Sequence, residues 1–302
     1  MSFDIISVVG PTASGKSELA LNLAAAIGET EIINTDAMQL YAGMDIGTAK
    51  LSAAEMRGIK HHLISMVSPE REVSAVEYRE LFDESYREIR QQAHQVLTVG
   101  GSTLYLSAAL DDLGFSPTDP LLRERLESEH KQLGERSMWE RLRELDPATA
   151  DKIPASNHRR VIRALEVIEL TGKPYPNTLP EPTYRRKTIQ LGIMVSREIL
   201  VERIRVRVET MWRTGMLEEV SALLTQYPNL SRTARVAIGY KQAADQLDGK
   251  LSEDEAVAET VLLTTRYAKK QMTWFRRDKR IHWLEFDSDM TSEALRLIRL
   301  EQ

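Results

Sequence analysis

The feature that most constrains this chain is its opening. Ile5-Ile6-Ser7-Val8-Val9 is an apolar run of strand length, and it leads into Gly10-Pro11-Thr12-Ala13-Ser14-Gly15-Lys16-Ser17. Apolar residues then recur at Leu19, Leu23 and Ile27 with the spacing of a helix. A buried strand, a glycine-bounded loop and a helix start therefore follow one another without a break. The loop is a complete match to G-x-x-x-x-G-K-[ST] at Gly10, Gly15, Lys16 and Ser17. Gly10 and Gly15 permit backbone angles that turn several N–H groups onto one anion. The helix start adds its positive dipole end, Lys16 a mobile point charge, and Ser17 a hydroxyl suited to Mg²⁺. Such a pattern also arises by chance, but here the flanking strand and helix are the context it requires. Residues 10–17 are expected to bind a polyphosphate. The loop alone leaves open which one, and whether a phosphoryl group moves.

Further strands are expected at 31–34, 61–66, 96–99, 189–195 and 281–284. Helices are expected between them, at about 74–93, from 104, and over 199–224, 252–275 and 291–300. This alternation implies an α/β fold: a P-loop parallel sheet flanked by helices on both faces. In such sheets ligands bind beyond the carboxyl ends of the strands. The loops at 10–17, 36–39 and 100–102 converge there. From Ser116-Pro117-Thr118-Asp119-Pro120 onward the pattern changes. Residues 121–171 show only helical periodicity, with Leu122, Leu126 and Leu133 on one helix, Trp139, Leu142 and Leu145 on a second, and a third over 159–170. A loop with Pro174, Pro176, Pro180 and Pro182 follows. The expected organisation is a core of 1–115 and 187–302, interrupted by a helical insertion domain over 116–186.

At 302 residues, 42% of them apolar, the chain has material for a sizeable core. A net charge of −5 argues against a wholly basic nucleic-acid coat, yet residues 266–280 carry seven basic side chains against one acidic. The absence of cysteine excludes disulfides and thiol chemistry. No apolar run reaches the ~18 residues of a membrane span, and no signal segment is evident. A soluble, cytoplasmic, monomeric protein is expected.

Asp36, at the end of the second strand, reads either as a general base beside the phosphates or as a turn residue. Ser102 reads either as a hydroxyl facing the site or as a turn residue. Arg203 with Arg207, and Arg159 with Arg163, are spaced four apart; a solvated helix face is the ordinary meaning of such pairs. Lys269, Lys270, Arg276, Arg277, Lys279 and Arg280 surround Trp274 and Phe275. That mixture suits RNA, through phosphate contacts and stacking, but also suits a basic surface over core aromatics. His61, His62 and His158 show no metal-ligand spacing and read as structural.

Taken in order, several runs resemble one family. They are Gly10–Ser17; Thr35-Asp36-Ala37-Met38-Gln39-Leu40-Tyr41; Met44-Asp45-Ile46-Gly47-Thr48-Ala49-Lys50; Gly100-Gly101-Ser102-Thr103; Arg159-Arg160-Val161-Ile162-Arg163; Ile238-Gly239-Tyr240-Lys241; and Gln271-Met272-Thr273-Trp274-Phe275-Arg276. Together they look like the bacterial tRNA dimethylallyltransferases, from 10 to about 277. The resemblance implies transfer of a dimethylallyl group from dimethylallyl diphosphate to N6 of the tRNA adenosine at position 37, beside the anticodon. Diphosphate leaves and Mg²⁺ is present. It further implies that Gly10, Pro11, Thr12, Ala13, Ser14, Gly15, Lys16 and Ser17 hold the donor's diphosphate, with Ser17 on the metal. Asp36, Ser102, Lys16 and Arg207 carry the chemistry, Asp36 as the base. tRNA contacts fall on Asp36, Ala37, Met38, Gln39, Ser102, Arg123, Arg159, Arg160, Val161, Ile162 and Arg163. Three departures from the family pattern stand out: Ser102 where threonine is usual, Ala37 where serine is usual, and Pro154-Ala155-Ser156-Asn157 in place of His-Pro-Asn-Asp. The competing readings are a nucleoside-monophosphate-type kinase, a prenyltransferase for free adenine nucleotides, and a non-catalytic RNA-binding NTPase.

Overall fold

The structure, a computed structural model, describes residues 3–176, 181–286 and 289–301. Part of the proline-rich segment, including Pro180, lies outside the described residues. In chain order the elements are β1 (Ile5–Val9), α1 (Lys16–Ile27), β2 (Thr30–Asn34), β3 (His61–His62), α2 (Ala75–Gln91), β4 (Gln95–Gly100) and α3 (Thr103–Leu110). Then come α4 (Pro120–Leu145), α5 (Pro147–Ala150), α6 (His158–Thr171), β5 (Thr188–Met194), α7 (Arg197–Arg213) and α8 (Met216–Gln226). The chain closes with α9 (Arg232–Arg235), α10 (Tyr240–Leu247), α11 (Glu253–Phe275), β6 (Ile281–Glu285) and α12 (Met290–Leu300). They form two compact units, Met1–Asp111 with Tyr184–Gln302, and Asp112–Thr183.

The first unit is built on a six-stranded sheet of order β3-β2-β4-β1-β5-β6, and every pairing in it is parallel. All five residues of β1 are buried, as expected for a central strand covered on both faces. The register fixes the site. Val9 stands opposite Gly100, and Asn34 opposite Val99, so the loops that follow β1, β2 and β4 leave the same edge of the sheet side by side. The close approach of two of these loops depends on glycine. A Cβ at Gly100 would lie 2.3 Å from Thr35 Oγ1, and one at Gly101 would lie 2.4 Å from Gln271 Nε2. Helix α2 starts at Ser74, whose side chain accepts the Glu77 N–H. It buries Tyr78, Phe82 and Ile89, and Tyr78 stacks on Tyr105 of α3 with ring centres 4.3 Å apart.

Three expectations are corrected here. The strand over 61–66 shrinks to His61–His62, because Leu63 and Ser65 take positive φ angles of 59° and 54° and turn the chain. The single helix over 199–224 is two, broken at Gly215, whose φ of 112° no helix accommodates. Helices α9 and α10 were not foreseen. His62 and His94 both bond the buried carboxylate of Glu31, at 2.6 and 2.8 Å.

The second unit is helical. Leu126, Met138 and Leu142 of α4 pack with Val161, Ile162 and Leu165 of α6. Helix α4 spans both helices expected from the periodicity, with a kink at Gly134 (φ 82°, ψ 168°) where they meet. Leu133 and Leu145, expected on the apolar faces, are exposed. Glu166 is fully buried at the hub of this unit. It accepts the Thr118 hydroxyl at 2.6 Å, the Asp119 N–H at 3.0 Å, Arg163 at 2.7 Å and also Arg123. Burial alone would raise its pKa, but bonds from Arg123, Thr118 and Arg163 overcome that and hold the carboxyl at about 2.

Candidate active site

The P-loop forms one wall of a cavity of about 450 Å³, lined by Ala13, Gly15, Lys16, Ser17, Arg203 and Arg207. Gly15 takes the left-handed conformation that starts α1 (φ 95°). Lys16 Nζ donates to the Pro11 carbonyl at 2.6 Å. Arg203 Nε donates to the Ala13 carbonyl at 2.7 Å, and its guanidinium lies 5.1 Å over the Phe286 ring. The half-buried Lys16 ammonium is pushed down to about 8, chiefly by loss of water; the Asp36 carboxylate pulls it back up and Arg207 pushes it further down. Arg207 is also lowered from its ordinary value, by burial first and by Arg203, with Asp36 opposing. Crowded, partly desolvated cations beside a helix N-terminus favour an anion of high charge. Ser14 Oγ is buried without a hydrogen-bond partner.

The second strand end is held from several sides. Asn34 Nδ2 donates to the Leu63 and Asp36 carbonyls, each at 3.0 Å, while Asn34 Oδ1 accepts the Asp36 N–H at 3.0 Å. The Tyr78 hydroxyl donates to the Asn34 carbonyl at 2.7 Å. Asp36 Oδ1 accepts the Met38 N–H at 3.0 Å and so caps the short turn that follows. That satisfies the turn reading of Asp36 with one oxygen and leaves the other for chemistry. Ser102 Oγ accepts the Ala37 N–H at 2.9 Å, which ties the β2 and β4 loops together. The Tyr267 hydroxyl, hydrogen-bonded to Ser102 and Gln271, is pushed up to about 12 by burial and by the charge of Asp36.

Asp36, Ser102 and Tyr267 line a second cavity of about 320 Å³, together with Arg207, Val208 and Met211. Arg207 lines both cavities. Ala37 and Met38 also border the second, whereas Gln39 turns away and donates to the Thr48 carbonyl at 3.1 Å. Gly47 and Thr48 of the 44–50 loop line the same cavity. Glu219 holds this loop by accepting the N–H groups of Asp45, Ile46 and Gly47 at 3.0, 2.7 and 3.3 Å, and Arg207 donates to its Thr48 carbonyl at 3.2 Å.

Two residues with clear positioning roles were missed in the sequence. Gln271 Oε1 accepts the Thr12 N–H at 2.9 Å, and its Nε2 donates to the Gly101 carbonyl at 2.8 Å. It thus clamps the P-loop to the Ser102 loop. A signal existed: Ala268, Gln271 and Phe275 fall on one helix face, and that face is buried. Glu219 gave no signal, because its partners, backbone groups of a distant loop and the Tyr240 hydroxyl, follow no local spacing. In the basic stretch, Lys269, Lys270, Arg276, Arg277 and Lys279 are exposed. Arg280 is instead paired with Asp278 and Asp111, each at 2.7 Å, and Phe275 is a core residue.

In the Asp112–Thr183 unit, Arg159 and Arg160 are exposed. Arg123 and Arg163 are bound to Glu166. Val161 and Ile162 are core side chains, which leaves only their backbone for an outside partner.

Comparison with known proteins agrees with this geometry. The chain matches the IPP transferase family over residues 39–278. It is 45% identical to a tRNA dimethylallyltransferase of Kineococcus radiotolerans over 98% of this chain and 96% of the relative. It is 46% identical to one of Streptomyces coelicolor over 93% of this chain and 89% of the relative. The crystal structure of the full-length tRNA isopentenylpyrophosphate transferase of Bacillus halodurans superposes with a TM-score of 0.71 at 34% identity, over 99% of this chain and 95% of that one. With a family match over most of its length and relatives of this identity, the chain belongs to the IPP transferase family.

Proposed function

We infer that this protein transfers a dimethylallyl group from dimethylallyl diphosphate to N6 of the tRNA adenosine at position 37. The observation that carries the reading is Arg207, which lines both cavities, with Lys16 in one and Asp36 and Ser102 in the other. A diphosphate seated on the P-loop amides, Lys16, Arg203 and Arg207 directs its allylic carbon toward Asp36. The apolar wall of Ile204, Val208, Met211 and Val236 suits a five-carbon chain. In the reaction the bond from the allylic carbon to the diphosphate oxygen breaks and the bond to N6 forms. The N6 proton passes to Asp36, and the negative charge leaves on diphosphate, stabilised by the cations. The Ser17 hydroxyl at the cavity wall is a hard oxygen donor that fits Mg²⁺. Ser17 would hold that ion, which, when bound, supplies further charge neutralisation to the diphosphate. The adenine reaches this depth only by leaving its stack.

The test is incubation with labelled dimethylallyl diphosphate and either AMP or unmodified tRNA, without ATP. Label is expected in tRNA alone. Label in AMP would point to a prenyltransferase for free nucleotides, and no transfer to either would sink the reading. Of the four arginines expected to meet RNA in the helical unit, Arg159 and Arg160 are exposed, whereas Arg123 and Arg163 are held by Glu166. Replacing Arg159 and Arg160 by alanine is expected to lower tRNA affinity and to reduce the slope of log K against log salt by roughly 1 per lost contact, leaving donor affinity unchanged. An unaltered slope would make them a solvated face only.

A further inference from the structure

The Asp112–Thr183 unit contains a cluster that the transfer reaction does not use. His130, Glu135 and His158 offer donor atoms that all lie within 4.8 Å of one another, the single such trio of His, Cys, Asp or Glu among the described residues. We propose that these three residues form a binding site for a divalent cation of the zinc class.

The grouping is a product of the fold. In a straight helix, residues five apart point about 140° away from each other. The kink at Gly134 breaks that rule between His130 and Glu135 and lets both face one point. His158 is the first residue of α6, which packs along α4. The two imidazole rings lie with centres 4.9 Å apart and 28° between their planes. His130 Nε2 is buried and has no hydrogen-bond partner, so one histidine of the trio carries an enclosed ring nitrogen that nothing in the protein satisfies. Two imidazole nitrogens and a carboxylate oxygen are a donor set that selects zinc and neighbouring late metals over Mg²⁺ or Ca²⁺. Donors of a tetrahedral zinc ion stand about 3.3 Å apart at bond lengths of 2.0–2.1 Å. The remaining gap is closed by side-chain rotation, for which Glu135 is free because it is exposed. Water completes the fourth position. An ion there would fasten the α4 kink to the start of α6, directly before Arg159 and Arg160. The spacing of the three residues in the sequence carries no metal signature, since their meeting depends on the kink.

The experiment is titration of the chelator-stripped full-length protein with Zn²⁺ in competition with a chromophoric chelator, with and without millimolar Mg²⁺. One equivalent per chain is expected, with micromolar or tighter affinity that Mg²⁺ does not displace. His130→Gln, His158→Gln and Glu135→Gln are each expected to weaken it at least tenfold. Glu31→Gln, at the buried carboxylate that His62 and His94 bond, should leave it unchanged. Glu135 is exposed, so its variant keeps the fold and decides the matter should a histidine variant misfold. Absence of stoichiometric binding, displacement by Mg²⁺, or full affinity in Glu135→Gln together with a folded histidine variant would overturn the proposal.

Discussion

Asp36→Asn is expected to bind tRNA and dimethylallyl diphosphate with near-normal affinity, yet to transfer the prenyl group at least a hundredfold more slowly in a single turnover. The exocyclic amine of adenine is a poor nucleophile, because its lone pair is delocalised into the ring. As it attacks the allylic carbon it becomes acidic, and a carboxylate in reach takes the proton in the transition state. Such help is worth about 10²–10⁴ in rate. Asparagine preserves the features that make Asp36 structural: it has the same size, and its carbonyl oxygen still accepts the Met38 N–H now held at 3.0 Å. The fold of the β2 end should survive, since Asn34 and Tyr78 brace it independently. What is lost is the basic oxygen and the negative charge that Lys16 and Arg207 both feel. A transfer rate close to wild type would confine Asp36 to capping the turn. Collapse of tRNA binding alone would make its role recognition.

The strength of the sequence reading lay where function depends on local geometry. A strand, eight loop residues and a helix start encode the P-loop almost by themselves, and the end of β4 was located because Val96-Leu97-Thr98-Val99 is a compact, largely apolar run. What escaped detection depends on partners far along the chain. Gln271 and Glu219 act through backbone groups 259 and 174 residues away. Arg163 read as part of a solvated helix face with Arg159, and Arg123 as a tRNA contact, but Glu166, a buried charge, draws both inward. The strand expected over 61–66 failed for a different reason. Its residues have strand-like composition, but Leu63 and Ser65 adopt left-handed backbone angles, and Asn34 accommodates that turn by binding the Leu63 carbonyl. Tertiary hydrogen bonds there outweigh local preference.

Lys16→Ala is expected to cut the transfer rate by about 10²–10³, the usual loss when one preorganised electrostatic contact to a developing charge is removed. The diphosphate gains negative charge on the oxygen released from carbon as the carbon–oxygen bond breaks, so an ammonium beside it matters more in the transition state than in the bound ground state. Dimethylallyl diphosphate affinity should therefore fall less than the rate does. Lys16 also sets a pH limit. Its charge is needed for the donor, and burial places its pKa at about 8 in the free protein, with Asp36 limiting the drop and Arg207 deepening it. Protonated lysine predominates below that pH and disappears above it, so kcat/KM for dimethylallyl diphosphate should decline as pH rises through about 8. The bound diphosphate favours the protonated form, so kcat should hold to higher pH than kcat/KM. Lys16→Arg keeps a charge that does not titrate in this range; whatever its absolute rate, its kcat/KM profile should lose the alkaline limb. A wild-type profile flat to pH 10, or a limb that persists in Lys16→Arg, would place the titrating group elsewhere. Activity of Lys16→Ala within twofold of wild type would remove the lysine from the chemistry and leave the P-loop amides and Arg207 to stabilise the leaving group.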